Sequence, residues 1–222
     1  QVSFLRHAEG LHNVAILDAM ESGVPADPLH VLLEEHTGDS LVDACLSEHG
    51  ERQCLELRER LGGFQSFRPD LVVVSPFTRT MQTAFLSLGH PQEAGAPPFV
   101  AHEGCRERID NFTCNARSPV STLKQQFDGV DWSLIETDHD ALYGTVMEDA
   151  VLSAGRGVEF LNWLMARPED HIAVVSHSAF LAATFRLFGD NLNEEDREEL
   201  HRWPDTAEMR TVHVAVHTPV LE

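Results

Sequence analysis

Lysine is almost missing from this chain of 222 residues: Lys124 stands alone beside fifteen arginines. Basic residues of both kinds number 16 against 36 acidic ones, a formal net charge of -20. Such a balance excludes nucleic acid and anionic membrane surfaces as expected partners, because both are held by basic patches. It also dictates that any anion site here is built from arginine, histidine and backbone N–H groups. Cysteine is scarce too. Cys45, Cys54, Cys105 and Cys114 show no C-x-x-C spacing, and no signal-like apolar stretch opens the chain. Reduced thiols and a cytoplasmic setting are the expectation. No run is long and apolar enough for a membrane span, and no repeat or low-complexity tract divides the sequence. With 42% hydrophobic and 23% charged residues, what remains is ordinary globular composition, long enough to bury a core as one domain over 1–222.

What is present is a repeated plan. Val2, Phe4 and Leu5 form a short apolar run that ends on Arg6-His7, and "NVAILDAM" (13–20) follows with helical spacing. "PDLVVVSPFTRTMQTAFLSLG" (69–89) reads as strand over Leu71–Val74, turn at Ser75-Pro76, and helix from Thr78. "HIAVVSHSAFLAATFRLFG" (171–189) repeats that order, with His177 at the strand tip. Between these, Ser47 is the predicted N-cap of a helix within 43–64, stopped by Gly62-Gly63. A short strand follows the loop at 90–104, a further amphipathic helix covers 154–168, and "TVHVAVHTPVLE" alternates as an edge strand. Residues 21–28 break the first helix, 29–42 are ambiguous and acidic, and 105–150 lack clean periodicity. The stretches at about 24–42 and 105–150 are therefore read as insertions near the site mouth. Strands alternating with helices predict an α/β fold, a doubly wound, mostly parallel sheet flanked by helices on both faces.

In such sheets ligands bind at the carboxyl edge of the strands. Arg6-His7, the Ser75-to-Arg79 turn and Ser176-His177 would all fall there. Two arginines, two histidines and helix N-terminal N–H groups suit a dianion such as a phosphoryl group, whose transfer asks mainly for positioning and positive charge. A neutral imidazole can also attack phosphorus and carry it covalently.

These segments resemble the histidine phosphatase superfamily, the phosphoglycerate mutase-like proteins of branch 1. The family's R-H-G is similar to Arg6-His7-Ala8, with its asparagine at Asn13. Its D-P-x-L-T-x-x-G-x-x-Q pattern resembles "DACLSEHGERQ" (43–53), its S-S-P-L-x-R-x-x-Q-T-A resembles "VSPFTRTMQTA", and its second S-H-G resembles "SHSAF" (176–180). The matches occur in family order. The resemblance implies that His7 is the nucleophile and that Arg6, Asn13, Arg79 and His177 grip the phosphoryl oxygens. It implies a carboxyl that serves as acid and then base; Glu107 is the first choice within "EGCRERIDNFTCNAR" (103–117) and Glu103 the second. A C-R-E-x-x-G-x-x-x-C-x-x-R stretch of several members adds Arg106 and Arg117 as substrate contacts, with Ser178 beside them. No cofactor and no metal are implied. Ala8 and Ser178 stand where the family has glycines, which would strain the loop wherever positive φ is required.

Each residue also has a plainer reading. Arg79 could cap its helix, Asn13 could be an N-cap, and the remaining histidines, His12 among them, are more often structural or exposed. "DHD" (138–140) lacks a matching ligand set, and "NEEDREEL" (193–200) reads as a solvated helix. Three functions are compatible: a phosphohydrolase acting on a small phosphorylated molecule, a phosphomutase, and a binding module without turnover. The scarcity of basic residues and the departure of "CRERIDNF" from the mutases' L-N-E-R-x-Y-G favour hydrolysis. Sequence alone leaves the substrate and the oligomeric state open.

Overall fold

The computed structural model describes residues 1–22, 28–33 and 41–214. Six strands, β1 (Val2–Arg6), β2 (Leu71–Val74), β3 (Phe99–Ala101), β4 (Val130–Asp131), β5 (Ile172–Ser176) and β6 (Met209–Val212), form one sheet. Their order is β4-β3-β2-β5-β1-β6. Every neighbouring pair is parallel except β6, which runs antiparallel to β1 at the edge. Among the described residues the helices of seven or more residues are α1 (Leu11–Glu21), α2 (Glu48–Leu61), α3 (Thr78–Ser87), α4 (Val120–Gln126), α5 (Ala150–Met165), α6 (Ser178–Phe185) and α7 (Glu194–His201).

Side chains along a strand point alternately to opposite faces, so a strand covered on both sides reads as a continuous apolar run. Phe4, Leu71, Val73, Ile172 and Val174 turn to one face and pack against Phe160, Leu161 and Leu164 of α5 and Phe180 and Leu181 of α6. Leu5, Val72, Val74, Ala173 and Val175 turn to the other and meet Leu57 of α2, Met81 and Ala84 of α3 and Leu123 of α4. The doubly wound α/β sheet expected from the sequence is therefore the fold observed.

Helix ends follow local chemistry. Ser47 caps α2, its Oγ accepting from the Gly50 N–H at 3.0 Å, and Gly62 ends the helix in the left-handed region at φ 70°. Asp149 accepts from Val151 and Leu152 and starts α5 earlier than the apolar spacing predicts. Inside the segment expected to be irregular lie α4 and β4, which at seven and two residues are too short to register as periodic. α7 is the expected solvated helix. Most of the 24–42 insertion and the tail of the last expected strand, 215–222, fall outside the described residues.

The 43–53 motif holds the chain just after His7. Ser47 N–H donates to the Glu9 carbonyl at 2.9 Å, Ser47 Oγ donates to the Glu9 carboxylate at 2.6 Å, and the Glu9 N–H donates to Gln53 Oε1 at 2.9 Å. Gly50 is where α2 touches this loop: a Cβ there would lie 2.0 Å from the Glu9 carbonyl oxygen. The 75–84 motif holds the same loop from the other side. Thr83 Oγ1 accepts from the Ala8 N–H at 3.0 Å, and Gln82 Oε1 accepts from the Leu46 N–H at 2.8 Å. Among the described non-glycine residues only Asp43 and Ala207 have positive φ, so neither Ala8 nor Ser178 carries the strain that replacing a glycine would bring.

Gly50→Ala is expected to destabilise the protein by about 2 kcal/mol through overpacking against immobile backbone. Urea denaturation measures this; a variant as stable as the native chain would show that the loop is not seated on α2.

Candidate active site

Register brings the remote segments together. β1 and β5 are paired in parallel with Arg6 opposite Ser176, so the next residues, His7 and His177, leave the sheet at one level. The His7 N–H donates to the Ser176 carbonyl at 2.9 Å, and the two imidazole centroids are 5.1 Å apart. β2 lies on the other side of β5, which delivers Ser75 to the same edge: its Oγ is 2.7 Å from His177 Nε2. Arg79, in the first turn of α3, is 1% exposed, and the Phe77 ring lies 4.9 Å from its guanidinium and 5.1 Å from that of Arg106. His7, Arg6, Arg79 and His177 thus share the carboxyl edge, as their strand-end positions predict.

A third imidazole joins them. His12, buried in the first turn of α1, has its ring 5.4 Å from that of His7. Sequence alone groups it with the structural or exposed histidines, and its one sequence signal is its place five residues after His7, just ahead of Asn13. All three rings are held well below the usual histidine pKa. Burial is the main cause for each, and the Arg79 guanidinium is the next. They are neutral imidazoles. His7 Nδ1 lies 2.7 Å from the Ala8 carbonyl, and a carbonyl only accepts, so Nδ1 carries the ring proton and Nε2 keeps its lone pair.

Open donors concentrate here. Among the described residues, nine buried side-chain nitrogens and oxygens lack a hydrogen-bond partner, and five of them belong to Arg6, His12, Arg79, Arg106 and His177. Arg6 Nη1 donates to the Pro204 carbonyl at 2.8 Å, and Arg79 gives Nη1 to the Cys114 carbonyl at 2.6 Å and Nη2 to Asn115 Oδ1 at 3.0 Å. Among the described residues the Nε–H groups of both meet nothing. Asn115 in turn donates Nδ2 to both oxygens of Asp110, whose carboxyl burial pushes up to about 6.

The other residues singled out by sequence are placed differently. Asn13 Oδ1 accepts from the Gly10 N–H at 2.9 Å, so Asn13 serves the start of α1. Glu107 lies at the N-terminus of α6: Oε1 accepts from Phe180 N–H at 2.9 Å and from Arg108 N–H at 2.9 Å, and Oε2 from Ala179 N–H at 3.2 Å. Ser178 Oγ stands 3.5 Å from the same carboxylate. Arg117, expected beside a substrate, spends all five N–H donors inside the protein: on Glu103 and on the carbonyls of Ser118, Asp138, Thr137 and His139. Arg106 gives four of its five to Glu103, Asp140 and the Asn115 carbonyl. Glu103, bridging both arginines, belongs to this internal network. Asp140 of the "DHD" run is an ion-pair partner, and among the described residues no group of three or more His, Cys, Asp or Glu is arranged to hold a metal ion. All four cysteines are free, and no described helix is long and apolar enough to cross a membrane. A cavity of about 780 Å³ lies between Leu187 and Leu192 and the 210–214 strand end, and neither His7, His12 nor His177 lines it.

A parallel sheet with two histidines and two arginines gathered at its carboxyl edge defines the histidine phosphatase fold, and this chain belongs to the histidine phosphatase superfamily (branch 1), whose family model matches residues 34–222. Two curated relatives from Arabidopsis thaliana extend the likeness over 95% of the chain. The "Phosphoglycerate mutase-like protein" is 30% identical over 237 residues, with 83% of its length covered. "Phosphoglycerate mutase-like protein 2" is also 30% identical, with 72% covered. Among solved structures the fold is similar to the alpha-ribazole phosphatase from Shigella flexneri (TM-score 0.55, 20% identity, 94% of this chain and 87% of that one). It is also similar to a mycobacterial glucosyl-3-phosphoglycerate phosphatase in complex with VO3 (TM-score 0.53, 18% identity, 94% and 90%).

The neutral rings have a pH consequence of definite sign. An unfolded chain protonates its histidines below about pH 6.5, whereas these three stay unprotonated when folded, so each makes the fold less stable as pH falls through that range. Asp110, protonated in the fold up to about 6, contributes with the opposite sign. In a proton NMR titration from about pH 8 down to about 5.5, the Cε1–H signals of His7, His12 and His177 should hold at their neutral shifts. A midpoint above about 6 for any of the three would contradict the burial argument.

Proposed function

We propose that the protein is a phosphohydrolase that works through a phosphohistidine on His7, without a metal or cofactor. The observation that carries this reading is the cluster of open donors. Buried Nε–H groups on Arg6 and Arg79, obligate donors that find no protein acceptor among the described residues, with unpartnered Nδ1 atoms of His12 and His177 beside them, suit a ligand that only accepts hydrogen bonds. A phosphoryl group is such a ligand, and two guanidiniums match its dianionic charge. Sulfate is shaped alike, but a sulfate site needs no nucleophile. Here His7 Nε2 turns an available lone pair to the edge where those donors meet.

In the first half-reaction Nε2 of His7 attacks phosphorus, the P–O bond to the leaving group breaks, and Glu107 gives that oxygen its proton. Oε2 of Glu107, with the longer contacts at 3.2 and 3.5 Å, is the oxygen with room to carry it. In the second, Glu107 takes a proton from water, the hydroxide attacks phosphorus, and the P–N bond breaks to release phosphate and neutral His7. Arg6, Arg79 and His177 hold the equatorial oxygens through both steps. Asn13, committed through Oδ1 to α1, retains its amide N–H groups for the same oxygens. Arg117, its donors spent inside the protein, builds the wall, and Arg106 keeps one buried Nε–H unpartnered among the described residues. The names of the Arabidopsis relatives support a second reading, a phosphomutase that shares the first half-reaction and returns the group to another hydroxyl.

A panel of phosphate esters and diphosphates, beginning with an aryl phosphate and scored for inorganic phosphate, separates these readings. Release is expected to survive a chelator and to fall by about a thousandfold or more in His7→Ala. Glu107→Gln should lower the rate by about a hundredfold or more with leaving groups of high pKa and much less with the aryl phosphate, which departs without a proton. Activity only with a bisphosphate primer would mean the mutase; an unchanged His7→Ala rate would overturn both.

A further inference from the structure

His177 offers one nitrogen to the ligand, and whether that nitrogen donates or accepts depends on where the ring's single proton sits. The ring is wholly buried, with Phe77 edge-on at 5.3 Å and His7 at 5.1 Å, so it has no room to flip. Nε2 is taken by Ser75 Oγ at 2.7 Å; Nδ1, buried, has no partner among the described residues. Ser75 is equally fixed. Its N–H donates to the Val175 carbonyl at 3.0 Å, and its own carbonyl accepts from the Phe77 N–H at 2.8 Å and Thr80 Oγ1 at 2.7 Å. Its hydroxyl is fully buried, and among the described residues Nε2 is its one hydrogen-bond partner.

These constraints select a tautomer. Were the proton on Nε2, it would donate to Oγ, the serine O–H would be a buried donor with no acceptor, and Nδ1 would turn a lone pair toward an anion. With the proton on Nδ1, the serine O–H donates to Nε2 and Nδ1–H is left as a donor for the ligand. Once a ligand that only accepts is bound, the second arrangement alone satisfies every buried group.

Building on the phosphohistidine reading, we propose that Ser75 is a positioning residue: its hydroxyl donates to His177 Nε2 and thereby places the ring proton on Nδ1, where it donates to a phosphoryl oxygen. The logic complements that of His7. There the Ala8 carbonyl draws the proton to Nδ1 so that Nε2 presents a lone pair to phosphorus. Two neighbouring rings of the same tautomer show the ligand opposite faces, one nucleophilic and one donating. A hydroxyl does this without charge. A carboxylate in its place would draw a second proton onto the ring and put an imidazolium beside the nucleophile.

The test uses the full chain labelled with 15N-histidine, long-range 1H–15N correlation spectra, and titration with inorganic phosphate, which needs no turnover. In the native protein His177 Nδ1 should show the protonated shift and Nε2 the unprotonated one. Ser75→Ala should mix the two tautomers, weaken phosphate about tenfold and lower kcat/KM by a similar factor; Ser75→Thr, which keeps the hydroxyl, should restore the Nδ1–H signature. A native spectrum with the proton on Nε2, or a Ser75→Ala protein that keeps Nδ1–H and binds phosphate within about twofold of native, would overturn the proposal. Failure of His7→Ala to affect phosphate release would instead remove the phosphohistidine reading and leave the tautomer result to stand or fall by its spectra.

Discussion

Everything at the carboxyl edge depends on arginines whose donors are only partly spent. A guanidinium has five N–H groups. If all five meet acceptors within the protein, the residue is a strut; if some stay open in a buried place, it is held in position and still has something to give. Arg117, tied to Glu103 and four carbonyls, is the first kind. Arg79, fixed by the Cys114 carbonyl and Asn115 with its Nε open among the described residues, is the second. Asn115 makes that possible because it faces two ways. Its Nδ2 is held by the carboxylate of Asp110, which can only accept when ionised, and so its Oδ1 is turned to Arg79. A carboxylate directly against Arg79 would compete with the ligand for the same charge; an amide orients the guanidinium and leaves its charge free.

The loop after β1 answers to the same demand for position. Neither Arg6 nor His7 lies within a helix, and a loop residue is placed only as well as its neighbours are pinned. Ser47, Gly50 and Gln53 of α2 grip Glu9, and Thr83 of α3 grips Ala8. The polar positions of the two longest motifs are thus spent largely on backbone groups, and their chemistry is mechanical. Gly50 illustrates it: the helix carries no side chain there because the Glu9 carbonyl occupies that space.

This explains what sequence could and could not disclose. The strand tips were legible because an apolar run that stops abruptly at an Arg-His or Ser-His pair has few other meanings, and parallel register then brings the tips together. The core alternation of Leu71 to Val74 was legible for the same reason. His12 was not, since a histidine in the first turn of a helix looks the same whether it faces solvent or a neighbouring imidazole. The internal ties of Arg106 and Arg117 were not legible because Asp140, which both meet, lies over twenty residues on, in a segment without periodicity. That segment is held by ion pairs and carbonyls, which leave no hydrophobic pattern to read. Asn13 is intermediate: the N-cap is Gly10, and Asn13, the third residue of α1, reaches back with Oδ1 to the Gly10 N–H.

A protein of net charge -20 that gathers an anion must prevent its own carboxylates from filling the site first. Distance accomplishes this for most, since screening at physiological salt confines an exposed charge to about 8 Å. The near ones are occupied. Glu103 and Asp140 are consumed by Arg106 and Arg117, Glu148 by Arg156, and Glu107 by the N-terminus of α6. Arg106 and Arg117 hold Glu103 and Asp140, while Asp205 and Glu208, whose charges act on Arg6 together with that of Glu107, are held by Arg202 and Arg210.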